Sequence, residues 1–151
     1  MKKLFISVAL LTAISGSALA ASAFTVADDA IEYRKGSFQL IRHNTADIGD
    51  MLQGKVTFDA ARVQKRADAI VALSALPWEA FSVAGANKAS GDAKAEIWAD
   101  FKDFTAKADK FQQDAKALQT AASSGDQAKL KAAFATFRGN CKACHDKYKA
   151  D

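Results

Sequence analysis

The sequence predicts an all-α protein, an antiparallel up-down-up-down four-helix bundle, and three observations carry that reading. Proline occurs once, at Pro77, and Gly54, Gly91 and Gly125 punctuate the chain between segments. Alanine, lysine, leucine and glutamine dominate, which favours helix, and no two-residue alternation lasts long enough for a strand. Four segments carry apolar residues at spacings of three and four, the seam of a bundle whose helices cross near 20°.

The first segment covers about 27–53. Ile31, Phe38, Ile41, Thr45, Ile48 and Leu52 form its stripe, and Gly54 ends it. The second covers about 59–76, with Val63, Ala67, Ile70 and Ser74 inward, and Pro77 stops it. The third covers about 92–123. Ile97, Phe101, Phe104, Ala108, Phe111, Ala115, Leu118 and Ala122 repeat without a break. The fourth starts after Gly125 and reaches about residue 149, striped by Leu130, Phe134, Phe137, Cys141, Cys144 and Tyr148. Short connections imply antiparallel neighbours; only 82–91, rich in Gly, Ser and Ala, is a longer loop.

The N-terminus stands outside this pattern. Lys2 and Lys3 precede an apolar run over 4–11, and Ala18-Leu19-Ala20 is a small-x-small cleavage site. Residues 1–20 therefore read as a secretory signal peptide, with Ala21-Ser22-Ala23 a second possible cut. The run is shorter than the roughly 20 residues of a membrane span, so no membrane association is expected after processing. The mature domain is 21–151. Taking Lys2 and Lys3 from the 21 basic residues leaves 19 against 17 acidic, a net charge of +2. With no basic stripe interleaved with aromatics, nothing points to nucleic acid.

The chemistry lies near the C-terminus, in Cys141-Lys142-Ala143-Cys144-His145. Cys-x-x-Cys-His is the attachment signature of c-type haem: two thiols add to vinyl groups and the histidine becomes an axial iron ligand. These are the only two cysteines. They continue the apolar stripe one turn apart, and His145, four residues from Cys141, lies on nearly the same face. A helix in this phase presents both thiols and the ligand to one haem while burying the porphyrin. A disulfide across so short a loop gives little stabilisation. A zinc site would need His43, whose helical phase is outward. A thioredoxin-type pair sits at a helix N-terminus, and this one lies near a C-terminus.

Antiparallel packing brings the end of helix four beside residues 31–41, 76–81 and 92–101, from which the opposite wall of the haem is expected. Met51, 13 residues beyond Phe38 and about 20 Å along the helix, is at the wrong end. His43 faces away. Phe38 is the stripe residue at haem level, and it cannot ligate iron. The expectation is a five-coordinate iron behind an apolar, blocked face.

These stretches together resemble cytochrome c′, the class II c-type cytochromes. The resemblance spans the whole mature chain. It rests on Tyr33-Arg34 with Phe38, on Leu73-Ser74-Ala75-Leu76-Pro77-Trp78 with Phe81, on Glu96-Ile97-Trp98, and most strongly on the haem motif followed by Asp146 and Tyr148. It implies a four-helix bundle with one covalently bound haem c, a periplasmic location, and a homodimer packed through helix one. It implies high-spin iron that binds NO and CO and discriminates against O₂. That selectivity has a physical basis, because bound O₂ gains from a distal hydrogen bond that Phe38 cannot offer.

The resemblance further implies a haem environment of Arg34, Lys35, Phe38, Trp78, Phe81, Asp92 and Glu96, with Arg34 and Lys35 toward the propionates and Lys149 in the proximal pocket. Two positions depart from the family's usual pattern. Phe38 replaces a common leucine, which predicts slower gas binding on the distal face. Lys149 replaces an arginine, exchanging a planar fork for a mobile point charge on the proximal side, where NO can also bind in the family.

Gas scavenging, carriage or sensing is the leading expectation. The alternative is a periplasmic electron carrier with its own redox partner. Class II relatives with a methionine on helix one are six-coordinate and suit that role, but Phe38 occupies the relevant position. No catalytic residue is expected, since no distal histidine or arginine pair is placed to assist peroxide chemistry.

Overall fold

The structure, a computed structural model, describes residues 24, 26–87 and 91–150. The expected signal peptide lies outside them. Helices α1 (Ala27–Leu52), α2 (Ala60–Ser74), α3 (Glu96–Ala99), α4 (Phe101–Ser123) and α5 (Gln127–Tyr148) are joined by loops and a 3₁₀ turn at Glu79–Phe81. Helix α1 packs on α2, α2 on α4, and α4 on α5. The four long helices form the bundle, and α3 is a single turn leading into α4.

Aspartates set three of the starts. The Asp59 carboxylate accepts from Arg62 N at 3.0 Å, Asp100 from Asp103 N at 3.3 Å, and Asp126 from Ala128 N at 2.9 Å and Lys129 N at 3.1 Å. Gly54 (φ 73°) and Gly125 (φ 70°) make the left-handed exits from α1 and α4 that a β-carbon disfavours.

The expected stripes face the core, although Phe38, Thr45 and Leu52 of α1 and the two cysteines of α5 are only half-buried, and α1 also buries Arg34, Ser37, Asn44 and Met51. All four of α2 are buried, as are Leu130, Phe134, Phe137 and Tyr148 of α5. One boundary differs. The third long helix begins at Phe101, not near Asp92, because Asp100 leaves helical geometry (φ −130°, ψ 59°) to cap it. Residues 92–94 instead run beside the end of α5. Ala93 bridges Lys149, Lys94 N donates to Tyr148 O at 3.0 Å, and Ala150 N donates to Asp92 O at 2.7 Å.

The core has two main clusters. One is built around Ile48, Met51, Val63, Ile70, Leu118 and Phe137, the other around Phe81, Ile97, Phe104 and Tyr148. Phe38 and Trp78 pack against both. Opposite α2 and α4, a groove of about 460 Å³ opens between α1 and α5, lined by Gly49, Leu52, Phe134, Arg138 and Lys142 among others.

Candidate haem site

Helix α5 places the motif where its two thiols reach different parts of the core. Cys141 packs on the first cluster and Cys144 on the second. Both are half-buried and free, and the Cys141 thiol donates to Phe137 O at 3.3 Å. Burial pushes the Cys141 thiol up to about 11 and raises that of Cys144. Such thiols carry little thiolate, the opposite of a redox-active pair. The neighbouring His145 is exposed. Its pKa is lowered, first by partial desolvation and then by the charge of Lys149, against the pull of Asp146. The neutral imidazole so favoured is the form that offers a lone pair to a metal.

The facing wall is aromatic. Phe38 meets Trp78 edge-on at 5.5 Å between centroids and Phe81 at 6.5 Å. Phe104 lies 5.7 Å from Trp78, 4.8 Å from Phe81 and 5.4 Å from Tyr148, at the middle of the group. The polar ends of the tryptophans are satisfied locally. Trp78 Nε1 donates to Ser74 O at 2.6 Å and Trp98 Nε1 to Phe81 O at 2.9 Å. His43 is exposed, and Met51 is buried in the first cluster, away from Cys144.

Arg34 is 2% exposed. Its Nη1 donates to Ala86 O at 3.0 Å, and the guanidinium lies 4.5 Å from the Phe81 ring centroid. Burial lowers its pKa. Its Nη2 is buried with no hydrogen-bond partner among the described residues. A buried, unpartnered guanidinium nitrogen costs free energy unless an acceptor meets it. A porphyrin carboxylate has the chemistry to do so, and the aromatic wall with the Cys141–Cys144 pair has the chemistry to hold the ring. The residues present fit a c-type haem.

Other expected positions lie further out. Lys35 is exposed and ion-paired with Glu32 at 3.3 Å. Asp92 is exposed and pairs with Lys149 Nζ at 3.1 Å, and that ammonium also donates to Ala150 O at 3.1 Å. Glu96 is exposed in the first turn of α3. The structure therefore joins Asp92 to Lys149 at the end of α5, and it does not bring Lys35 or Glu96 to the aromatic wall. Two participants escaped the sequence reading. Phe104 was legible only as one more stripe residue, and the Ala86 carbonyl has no sequence signal because any residue could supply it.

A four-helix bundle presenting Cys-x-x-Cys-His on its last helix, against an aromatic wall and a buried arginine, defines a c-type haem protein. The cytochrome c′ family profile matches residues 29–149. The chain is 49% identical to the solved cytochrome c prime from Shewanella frigidimarina, with a TM-score of 0.81 over 85% of this chain and 99% of that one. It is 42% identical over 122 residues to the cytochrome c′ of Rubrivivax gelatinosus, covering 80% of this chain and 94% of the relative. It is also similar to a ferrous arginine-to-lysine variant of cytochrome c prime from Alcaligenes xylosoxidans with bound NO, at 38% identity and a TM-score of 0.78 over 85% and 98% of the two chains. The chain belongs to the cytochrome c′ family, and its cofactor is a c-type haem.

Proposed function

We propose that this protein is an exported, periplasmic monohaem cytochrome whose iron keeps an open distal position and takes up NO and CO. The observation that carries this is the placement of Phe38. It stands against Trp78 and Phe81 at the level of the haem motif, while His43 is exposed and Met51 is buried 13 residues further along α1. Neither the histidine nor the methionine of α1 is therefore placed beside the haem motif. The NO bound in the Alcaligenes xylosoxidans variant supports the same reading, and that variant carries lysine for arginine.

In this account Cys141 and Cys144 would hold the haem through thioethers and His145 would bind its iron. The haem supplies an iron with one position free for a diatomic gas. Arg34, whose Nη2 is buried and unpaired among the described residues, would hold a propionate. Phe38 and Trp78 exclude water and offer no hydrogen-bond donor toward a distal gas, which disfavours O₂. Lys149, restrained by Asp92, is the charged group on the His145 side. The signal peptide over 1–20 supports export, and no helix among the described residues is long and apolar enough to cross a membrane. Leu40, 55% exposed on α1, supports a homodimer packed through that helix.

The test is the absorption spectrum of the reduced, haem-loaded protein with and without CO and NO. A broad Soret band that sharpens and shifts with each gas is the expected result. A sharp low-spin spectrum indifferent to CO would overturn the proposal and favour electron transfer.

A further inference from the structure

We propose that Asp114 tunes the haem, lowering its reduction potential through a buried negative charge held beside Cys141. The inference rests on haem attachment at that cysteine. Asp114 sits on the inward side of α4 with its side chain only 8% exposed. Asn140, the residue before Cys141, donates from Nδ2 to Asp114 Oδ2 at 3.0 Å. Lys110, one turn earlier on α4, bonds the other carboxylate oxygen, but its own side chain is 57% exposed. The cation is therefore screened by water, and the anion much less.

Fastening α4 to α5 does not call for a charge here. A neutral asparagine could accept from Asn140 equally well, and removing a carboxylate from water is costly. The charge is felt where the haem joins. Among the influences on the Cys141 thiol, burial is the largest, with Asp114 raising its pKa and Arg138 opposing. The same two fields act on a prosthetic group bonded to that sulfur. Ferric haem carries one positive charge more than ferrous, so an anion at this position favours the ferric state and a cation the ferrous.

The experiment is a potentiometric titration of the haem-loaded protein and three variants. Asp114→Asn preserves size and the bond to Asn140. At fixed solution potential it should shift the ferrous-to-ferric ratio upward by about two- to tenfold, where tenfold in a one-electron couple is 59 mV. Asp114→Glu should retain the native ratio, and Arg138→Gln, at an exposed and therefore screened position, should shift it the other way by less. An unchanged ratio in Asp114→Asn, or equal shifts for Asn and Glu, would overturn the inference, since a purely structural clamp has no reason to follow charge. If Asp114→Asn does not mature, Asp114→Ser removes the same charge with a smaller side chain. A higher potential there supports the inference and an unchanged one refutes it. The haem mass adduct in each variant separates failure of this inference from failure of attachment at Cys141.

Discussion

Replacing Phe38 by alanine should speed CO association on the distal side. The Phe38 ring makes two aromatic contacts, with Trp78 at 5.5 Å and Phe81 at 6.5 Å. Such pairs contribute about 0.5–1.5 kcal/mol each, so swinging the ring aside to admit a gas costs about 1–3 kcal/mol. Alanine removes that step. At about 1.4 kcal/mol per tenfold in rate, association should rise roughly five- to 150-fold. Phe38→Leu should fall between the two. The half-buried ring also supports the core, and its loss should cost about 2 kcal/mol of stability, less than the 3–5 typical of a fully buried phenylalanine. The assay is flash photolysis or stopped-flow mixing of the ferrous protein with CO, after the unliganded spectrum has shown the haem environment to be intact. Unchanged association with an intact spectrum would refute the idea that Phe38 bounds the gas site.

Other expectations follow from the same contacts. Arg34→Met strands the buried Ala86 carbonyl and removes the guanidinium from Phe81, a loss of about 2–4 kcal/mol by urea unfolding; a change under 1 kcal/mol would contradict it. The Asp47 pKa is depressed, chiefly by its hydrogen bond from Arg62, with Arg66 assisting. Its contribution to stability is therefore present above the ordinary carboxylate range near pH 4 and lost as pH falls through the lower folded value, so Asp47→Asn should flatten the acid limb of a melting-temperature profile. In protein made without haem, the Cys141 thiol near 11 should alkylate at pH 8 roughly tens of times more slowly than an ordinary cysteine, its much smaller thiolate fraction being partly offset by a more nucleophilic thiolate, and faster with each unit of pH.

Most of the bundle was legible because its signals are local. Val63, Ala67, Ile70 and Ser74 follow a helical period and are the buried residues of α2. Asp59 and Asp126 precede their helices as capping residues do, and Gly54 and Gly125 end theirs. The start of α4 was misplaced because its cause is long-range. The apolar period continues back to Ile97, yet residues 92–94 are drawn to the end of α5 by backbone hydrogen bonds that no local pattern encodes. Buried polar residues were hidden for a related reason. Asn44 and Asp114 satisfy themselves on Leu40 O, Arg66, Lys110 and Asn140, and a polar side chain reads as exposed until its partners are known.

The Cys141–Cys144–His145 motif proposed to carry the haem was the most legible part of the site, since thiol addition demands that spacing. The wall around them was only partly so. Arg34, Phe38, Trp78 and Phe81 do converge, whereas Lys35 turns to Glu32 and Asp92 to Lys149. Charged residues near the expected site had alternative partners on the surface, and surface pairing is weakly specified by sequence.

The central claim is an iron left open behind Phe38, and resonance Raman spectroscopy of the ferrous haem-loaded protein, without added gas, tests it most directly. High-spin, five-coordinate marker bands with an iron–histidine stretch that disappears in His145→Ala are the expected result. Low-spin, six-coordinate bands would contradict the claim, because they would require a sixth ligand where the structure places an aromatic ring.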